Sequence, residues 1–231
     1  MSFAKLSQND VILEASSLKI HFPIRRKNLF DKKQFVHAVD GIDLKVDHGS
    51  TFGIVGESGS GKTTAALGII RLIPVTSGRI LFRSKDITQI KGDEFRKMRK
   101  HLQVVFQDPY SSLNPRLRAG EIVREPLDRM RLFDKKERAE RVEILFDQVG
   151  LRREQMRHFP HQFSGGQRQR IGVARALASE PDLIVLDEPV SALDVAIQAQ
   201  LLNLFRRLKE RLSLTYVFIS HDLGVVQYLC D

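Results

Sequence analysis

The octapeptide Gly56-Glu57-Ser58-Gly59-Ser60-Gly61-Lys62-Thr63 follows the apolar run Thr51 to Val55 and opens a helix-forming stretch. A chain that joins strands to helices through such loops is constrained to an α/β layer, with a largely parallel sheet and helices packed on its faces. The loop fits G-x-x-x-x-G-K-[ST] without exception, and the pattern has a physical reason. Its glycines let the backbone curl so that several N–H groups point at one anion. The helix behind adds its positive N-terminal end. Lys62 is expected to reach the β- and γ-phosphates of a nucleotide and the Thr63 hydroxyl to ligate Mg²⁺, with Thr64 beside them in the binding set.

A second apolar run, Leu183 to Leu186, ends in Asp187 and Glu188. Both carboxylates should sit at the carboxyl edge of the sheet, where open parallel sheets bind their ligands. Alone, such a run is usually structural; after a phosphate loop it marks a triphosphatase site. Asp187 then suits a Mg²⁺ role, and Glu188 suits the general base for an attacking water. Gln107 follows the strand Leu102 to Phe106 and can contact Mg²⁺ or that water. His221 follows the strand Thr215 to Ile219 and can hydrogen-bond the γ-phosphate. By themselves a loop glutamine and a strand-end histidine mean little; their weight comes from the constellation.

The remaining pattern fills in the frame. Val11 to Phe22 reads as a strand that Pro23-Ile24-Arg25-Arg26-Lys27 breaks into a loop. Ile42, Leu44 and Val46 alternate with polar residues in a half-buried strand. A helix is expected from Lys62 to Leu72, then strands over Gly78 to Phe82 and Leu102 to Phe106. Between Ala119 and Ser179, apolar residues such as Val142, Leu145, Phe146 and Val149 recur at helical spacing among many charges, predicting a helical insert. A helix should run from about Val195 to Leu212.

Composition excludes some classes. Of 231 residues, 42% are hydrophobic and 28% charged, which suits one domain with a subdomain and a sizeable core. No apolar stretch approaches the ~18 residues that a membrane span needs. Met1-Ser2-Phe3-Ala4-Lys5 lacks the pattern of a secretory signal, so a cytoplasmic chain is expected. A single cysteine, Cys230, suits a reducing compartment. The net charge of +9 is spread over segments where basic residues alternate with acids, as on solvated helix faces. Attraction to anionic lipid stands second to that reading, and nucleic acid third.

The ordered set Gly56–Thr63, Gln107, Ser164-Gly165-Gly166-Gln167, Asp187–Glu188, Ser191-Ala192-Leu193-Asp194 and His221 closely resembles the ATPase domain of ATP-binding cassette (ABC) proteins, over essentially the whole chain. The resemblance implies a P-loop NTPase core of mainly parallel sheet, an N-terminal antiparallel β part and an inserted helical lobe. On this reading residues 1–117 and 180–231 form the nucleotide-binding core and residues 118–179 the signature subdomain. It implies ATP and Mg²⁺ as cofactors, with Thr63, Gln107 and Asp187 on the metal. Ser164, Gly165, Gly166 and Gln167 would contact the γ-phosphate of ATP held by an opposite subunit, and Asp194 would lie at the subunit contact. The family stacks adenine on an aromatic near the first strand. Phe22 is the candidate here, with Phe30 and Phe35 as alternatives on an apparent insertion; simple packing on the core competes with that role.

The strings Phe106 to Arg116, Pro160 to Arg170 and Asp187 to Asp194 look like those of di- and oligopeptide importers, with nickel and glutathione importers nearly the same. This implies an ATP-hydrolysing subunit, peripheral on the cytoplasmic side of an inner membrane. Its implied partners are two transmembrane permease subunits, a second ATPase subunit and a periplasmic solute-binding protein, without nucleic acid. The segment Gln107 to Arg118 is the expected permease-facing surface. The rivals are a soluble ABC ATPase and an inactive remnant. The family continues past His221 with further strands and a tail, so a chain ending at Asp231 is expected to lack edge elements of its sheet.

Overall fold

The computed structural model describes residues 10–24 and 34–231. The expectations placed on Met1 to Lys5, Arg25 to Lys27 and Phe30 lie outside the described residues.

Two four-stranded sheets organise the described residues. The first is antiparallel, in the order β2-β1-β4-β5, from β1 (Val11–Pro23), β2 (Phe35–Asp47), β4 (Ser77–Phe82) and β5 (Lys85–Asp86). The second is parallel, in the order β3-β8-β7-β6, from β3 (Thr51–Val55), β6 (Leu102–Val105), β7 (Leu183–Asp187) and β8 (Thr215–Ser220). The helices are α1 (Lys62–Ile69), α2 (Gly92–Arg99), α3 (Pro109–Ser112), α4 (Ala119–Arg129), α5 (Lys135–Gln148), α6 (Gly165–Leu177), α7 (Val195–Leu212) and α8 (Leu223–Leu229). No described helix is long and apolar enough to cross a membrane.

The period of two along β7 and β8 divides the core. Ile184, Leu186, Tyr216 and Phe218 face a cluster shared with α4, α5, α6 and α7. Leu183, Val185, Val217 and Ile219 face the other way, toward α1 and the antiparallel sheet. All eight are essentially inaccessible to water. A strand buried on both faces reads as a continuous apolar run, which is why Leu183 to Leu186 looked as it did. Each such side chain contributes roughly 1.5–3 kcal/mol through burial.

Close contacts set how tightly these layers approach. A methyl group on Gly68, in the last turn of α1, would lie 2.2 Å from Ile20 Cδ1. Glycine is what lets α1 lie against β1. The β1–β2 pairing slips between Ile20↔Val39 and His21↔His37, which leaves Ala38 as an extra residue in β2. A bulge of this kind bends a strand and re-aims its side chains.

The expected strands and the helix over Val195–Leu212 are present, and the helical stretch between Ala119 and Ser179 holds α4, α5 and α6. Two expected bounds are corrected. The helix after the glycine loop ends at Ile69 rather than Leu72, because Arg71 turns left-handed at φ 54°. The Arg71 guanidinium donates to the carbonyls of Ile87 (2.6 Å) and Ile90 (2.8 Å), which fixes that exit. Phe35 opens β2 opposite Pro23, so the half-buried strand expected around Ile42 to Val46 begins well upstream. Its first half alternates poorly because much of it is exposed. Helix α2, with acids in its first turn and arginines in its last, was not anticipated; its only buried side chain is Met98.

Candidate functional site

The parallel sheet delivers four chain segments to one edge. β3 runs into the glycine loop, β8 into His221, β7 into Asp187 and Glu188, and β6 toward Gln107. Because the strand order is β3-β8-β7-β6, segments far apart in sequence become neighbours at the carboxyl ends. They enclose a cleft of about 770 Å³ lined by the whole of Glu57 to Thr64 with Gln107, Glu188 and His221, and by Val36, His37 and Ala38 of β2.

The loop owes its shape to glycine at two contacted positions. Gly61 has φ +89°, and a methyl group there would lie 2.3 Å from the Ala38 carbonyl oxygen. The bulged residue of β2 is thus the backstop of the loop. Gly56, at φ +154°, leaves room for the Ser60 side chain. Helix α1 then starts with no acid of its own in the first turn. The Lys62 side chain is buried, and its Nζ donates to the Glu57 carbonyl (2.6 Å), folding the cation back over the loop.

Opposite the loop sits a pair of acids in unlike surroundings. Asp187 is buried and accepts from the Thr63 hydroxyl at 2.7 Å. Burial pushes its carboxyl above the ordinary value and neighbouring Glu188 pushes the same way; the Thr63 bond and Lys62 pull it down. Glu188 follows at φ 43°, a left-handed turn that swings its carboxylate out of the strand line, and its amide donates to the Ile219 carbonyl (3.1 Å). The Glu188 Oε2 atom accepts from Gln107 Nε2 (3.3 Å) and lies 3.1 Å from His221 Nδ1. Gln107 Nε2 also donates to Ser191 Oγ (3.3 Å). Gln107, Glu188 and His221 thus form one hydrogen-bonded group.

The remaining expected residues lie elsewhere. Ser164 and Gln167 form a capping box at the start of α6: the serine Oγ accepts from the Gln167 amide (3.3 Å), and Gln167 Oε1 accepts from the Ser164 amide (3.0 Å). The serine hydroxyl keeps its own proton to donate. Asp194 caps α7 by accepting from the Ile197 amide (3.0 Å). These two helix starts touch: a methyl on Gly165 would meet Leu193, and one on Gly166 would lie 2.4 Å from Ile197 Cγ2. Neither set lines the cleft of this chain. Nor does Phe22, which is partly exposed on β1 opposite Val36. The wall on that side is Val36, His37 and Ala38, which sequence reasoning missed because nothing local distinguishes them. Ser191 was quoted only as part of a motif, and its bond to Gln107 appears only in the fold.

Helix α6 also grips the segment after β6. Gln169 Nε2 donates to the Phe106 carbonyl (3.1 Å) and Arg175 Nη1 to the Ser112 carbonyl (2.5 Å). Arg168 donates to the Pro160 carbonyl (2.7 Å) and stacks its guanidinium 3.6 Å from the Tyr110 ring centre.

Residues 39–191 match the family described as ABC transporter. The oligopeptide transport ATP-binding protein AppF of Bacillus subtilis is 50% identical over 227 residues, which is 97% of this chain and 69% of AppF. The oligopeptide transport ATP-binding protein OppF of Salmonella typhimurium is 45% identical over 231 residues, 99% of this chain and 69% of OppF. Among solved structures, a dimeric post-hydrolysis state of the ATP-binding cassette MJ0796 bound to ADP and Pi superposes with a TM-score of 0.80. It is 29% identical and covers 94% of this chain and 90% of that one.

Proposed function

Since this chain belongs to the ABC transporter family as an ATP-binding cassette, we propose that it is the ATP-hydrolysing subunit of a peptide importer, seated on the cytoplasmic face of an inner membrane. The observation that carries the catalytic part is the convergence of Lys62, Gln107, Glu188 and His221, from the ends of four adjacent parallel strands, on one cleft. The peptide cargo rests on the names of AppF and OppF. We assign residues 118–179 to the signature lobe and the rest to the nucleotide-binding core.

In this reading the phosphates of ATP lie on the N–H groups of Glu57 to Thr64, and Lys62 exchanges the Glu57 carbonyl for phosphate oxygens. The donor set fits Mg²⁺: a hydroxyl, a carboxylate held 2.7 Å from it, and an amide oxygen are hard oxygen ligands. Thr63, Asp187 and Gln107 would hold the ion, which when bound neutralises charge on the β- and γ-phosphate oxygens. Glu188 takes a proton from water as the water oxygen attacks the γ-phosphorus, and the electron pair of the breaking bond leaves with the ADP oxygen. Gln107 and His221 fix the carboxylate from two sides, so the base is oriented before the nucleotide arrives.

The signature residues act in the other half of a cassette pair. The Ser164 hydroxyl and the N–H groups at the start of α6 form an anion site for the γ-phosphate of the opposite subunit. Asp194, capping α7 against that same start, couples the two sites. Closure of the pair on ATP and its release after hydrolysis would drive two permease subunits that receive peptide from a periplasmic binding protein. The segment Gln107 to Arg118, held by α6, is the surface assigned to the permease.

Hydrolysis of ATP by the purified chain with Mg²⁺ tests this, beside Glu188→Gln. Loss of a general base typically costs about 10²–10⁴ in rate. ATP binding should persist, and size-exclusion should show a nucleotide-dependent dimer in the variant. Equal turnover by Glu188→Gln would overturn the assigned base. Absence of peptide uptake from cells expressing the subunit with its permease would overturn the cargo.

A further inference from the structure

On the antiparallel sheet, beside the nucleotide cleft, His21, His37 and Asp40 come together, and we propose that they bind a divalent transition-metal cation of the zinc class. The fold builds this cluster from the bulge in β2. His21 and His37 are directly opposite across the β1–β2 pair, and the extra residue Ala38 brings Asp40 round to the same face. Without the bulge, positions 37 and 40 would point to opposite faces, since strand side chains alternate.

Distances and chemistry agree. Asp40 Oδ1 lies 3.4 Å from His21 Nε2, and Asp40 Oδ2 lies 3.7 Å from His37 Nδ1. All the ligand atoms fall within 4.8 Å of one another. Zinc–nitrogen and zinc–oxygen bonds of about 2.0–2.2 Å in a tetrahedron set neighbouring ligand atoms about 3.3–3.6 Å apart. The Nε2 atom of His21 is itself buried and faces the Asp40 carboxylate. The imidazole rings are stacked, with centres 3.9 Å apart and 14° between planes. Coordination therefore requires the rings to open by rotation about Cβ–Cγ, which half-exposed His37 has room to do. Two imidazoles and one carboxylate select zinc, nickel or cobalt over magnesium, which prefers oxygen alone.

Lys19 is the competing charge. Its ammonium lies 3.0 Å from Asp40 Oδ1 and is the main cause that holds the Asp40 carboxyl below its ordinary range, with smaller help from the two histidines. Asp40 is thus ionised and ready to ligate at neutral pH, while Lys19, about half exposed, must swing aside or share the carboxylate. The site adjoins the cleft directly. His37 lines it, and the next residue, Ala38, meets the glycine loop through its carbonyl.

This inference does not depend on the transport reading, and metal binding alone tests it. The full chain, free of nucleotide, is titrated with Zn²⁺ by calorimetry and with Co²⁺ by visible absorption, in the presence of millimolar Mg²⁺. We expect one saturable site. Affinity should fall at least tenfold in His37→Ala and in Asp40→Asn, both surface substitutions that should leave the melting temperature little changed. It should rise in Lys19→Met and be unaltered in His161→Asn and His221→Ala. No saturable binding below about 100 µM would overturn the site. So would binding that survives His37→Ala and Asp40→Asn, or that falls equally in His221→Ala.

Discussion

Two glycines of one loop offer a matched pair of substitutions. Gly59 and Gly61 have nearly equal positive φ, +82° and +89°, so alanine meets the same backbone strain at each. That strain is worth about 1–2 kcal/mol for an L-residue in left-handed space. At Gly59 nothing lies within 4 Å of the added methyl, and strain is the whole cost. At Gly61 the methyl arrives 2.3 Å from the Ala38 carbonyl oxygen. This atom is main chain in a paired strand and cannot turn away as a side-chain tip could. Forcing atoms into occupied space typically adds about 1–3 kcal/mol, giving about 2–5 kcal/mol in total. For a chain of this size 1 kcal/mol moves the melting temperature by about 2–4 °C. Gly59→Ala should therefore melt about 2–8 °C lower and Gly61→Ala about 4–20 °C lower, the excess being the clash with Ala38. Relief by lifting the loop off β2 would appear instead as weaker nucleotide binding, by tenfold for every 1.4 kcal/mol or so. Calorimetric melting and titration with ATP on the same samples capture both routes. Equal losses of stability and of affinity in the two variants would refute the Ala38 backstop.

Further consequences follow from single groups. Burial raises the Asp187 carboxyl, so its ionisation opposes folding: its favourable contribution is complete below the ordinary carboxylate pKa and is lost as pH climbs through the raised one. At pH 7 without ligands, Asp187→Asn should melt higher than the parent while losing Mg²⁺-dependent turnover; a lower melting temperature would contradict the burial argument. Arg168→Met removes a charged donor from the Pro160 carbonyl and the stack on Tyr110, and should cost about 1.5–3 kcal/mol in urea unfolding. An unchanged midpoint would show that the grip of α6 on this segment is dispensable. The Cys230 thiol is pushed up to about 11, chiefly by burial and then by Asp231. Native protein at pH 8 should react with iodoacetamide roughly 200-fold more slowly than an ordinary thiol of pKa near 8.5. A rate equal to that of the unfolded chain would show the thiol to be open to solvent.

The sequence by itself determined the pieces whose chemistry is contiguous. Gly56 to Thr63 can curl because glycines at 56, 59 and 61 accept the positive φ that the loop ahead of Lys62 requires. Leu183 to Asp187 must be an inner strand because an unbroken apolar run needs cover on both faces. The helix Val195–Leu212 was legible in the sequence, whereas the capping bond of Asp194 to the Ile197 amide appears only in the fold. What the tertiary structure decided was adjacency. Gln107, Glu188 and His221 share hydrogen bonds only because β6, β7 and β8 lie side by side, and pairing order among parallel strands leaves no trace in local periodicity. The placing of Phe22 shows the same limit from the other side. Whether the cleft met Phe22 or its cross-strand neighbour Val36 depended on the bulge at Ala38 and on which face of β2 the glycine loop would use. A one-residue slip in register reverses every side chain beyond it, and only the folded sheet fixes that slip.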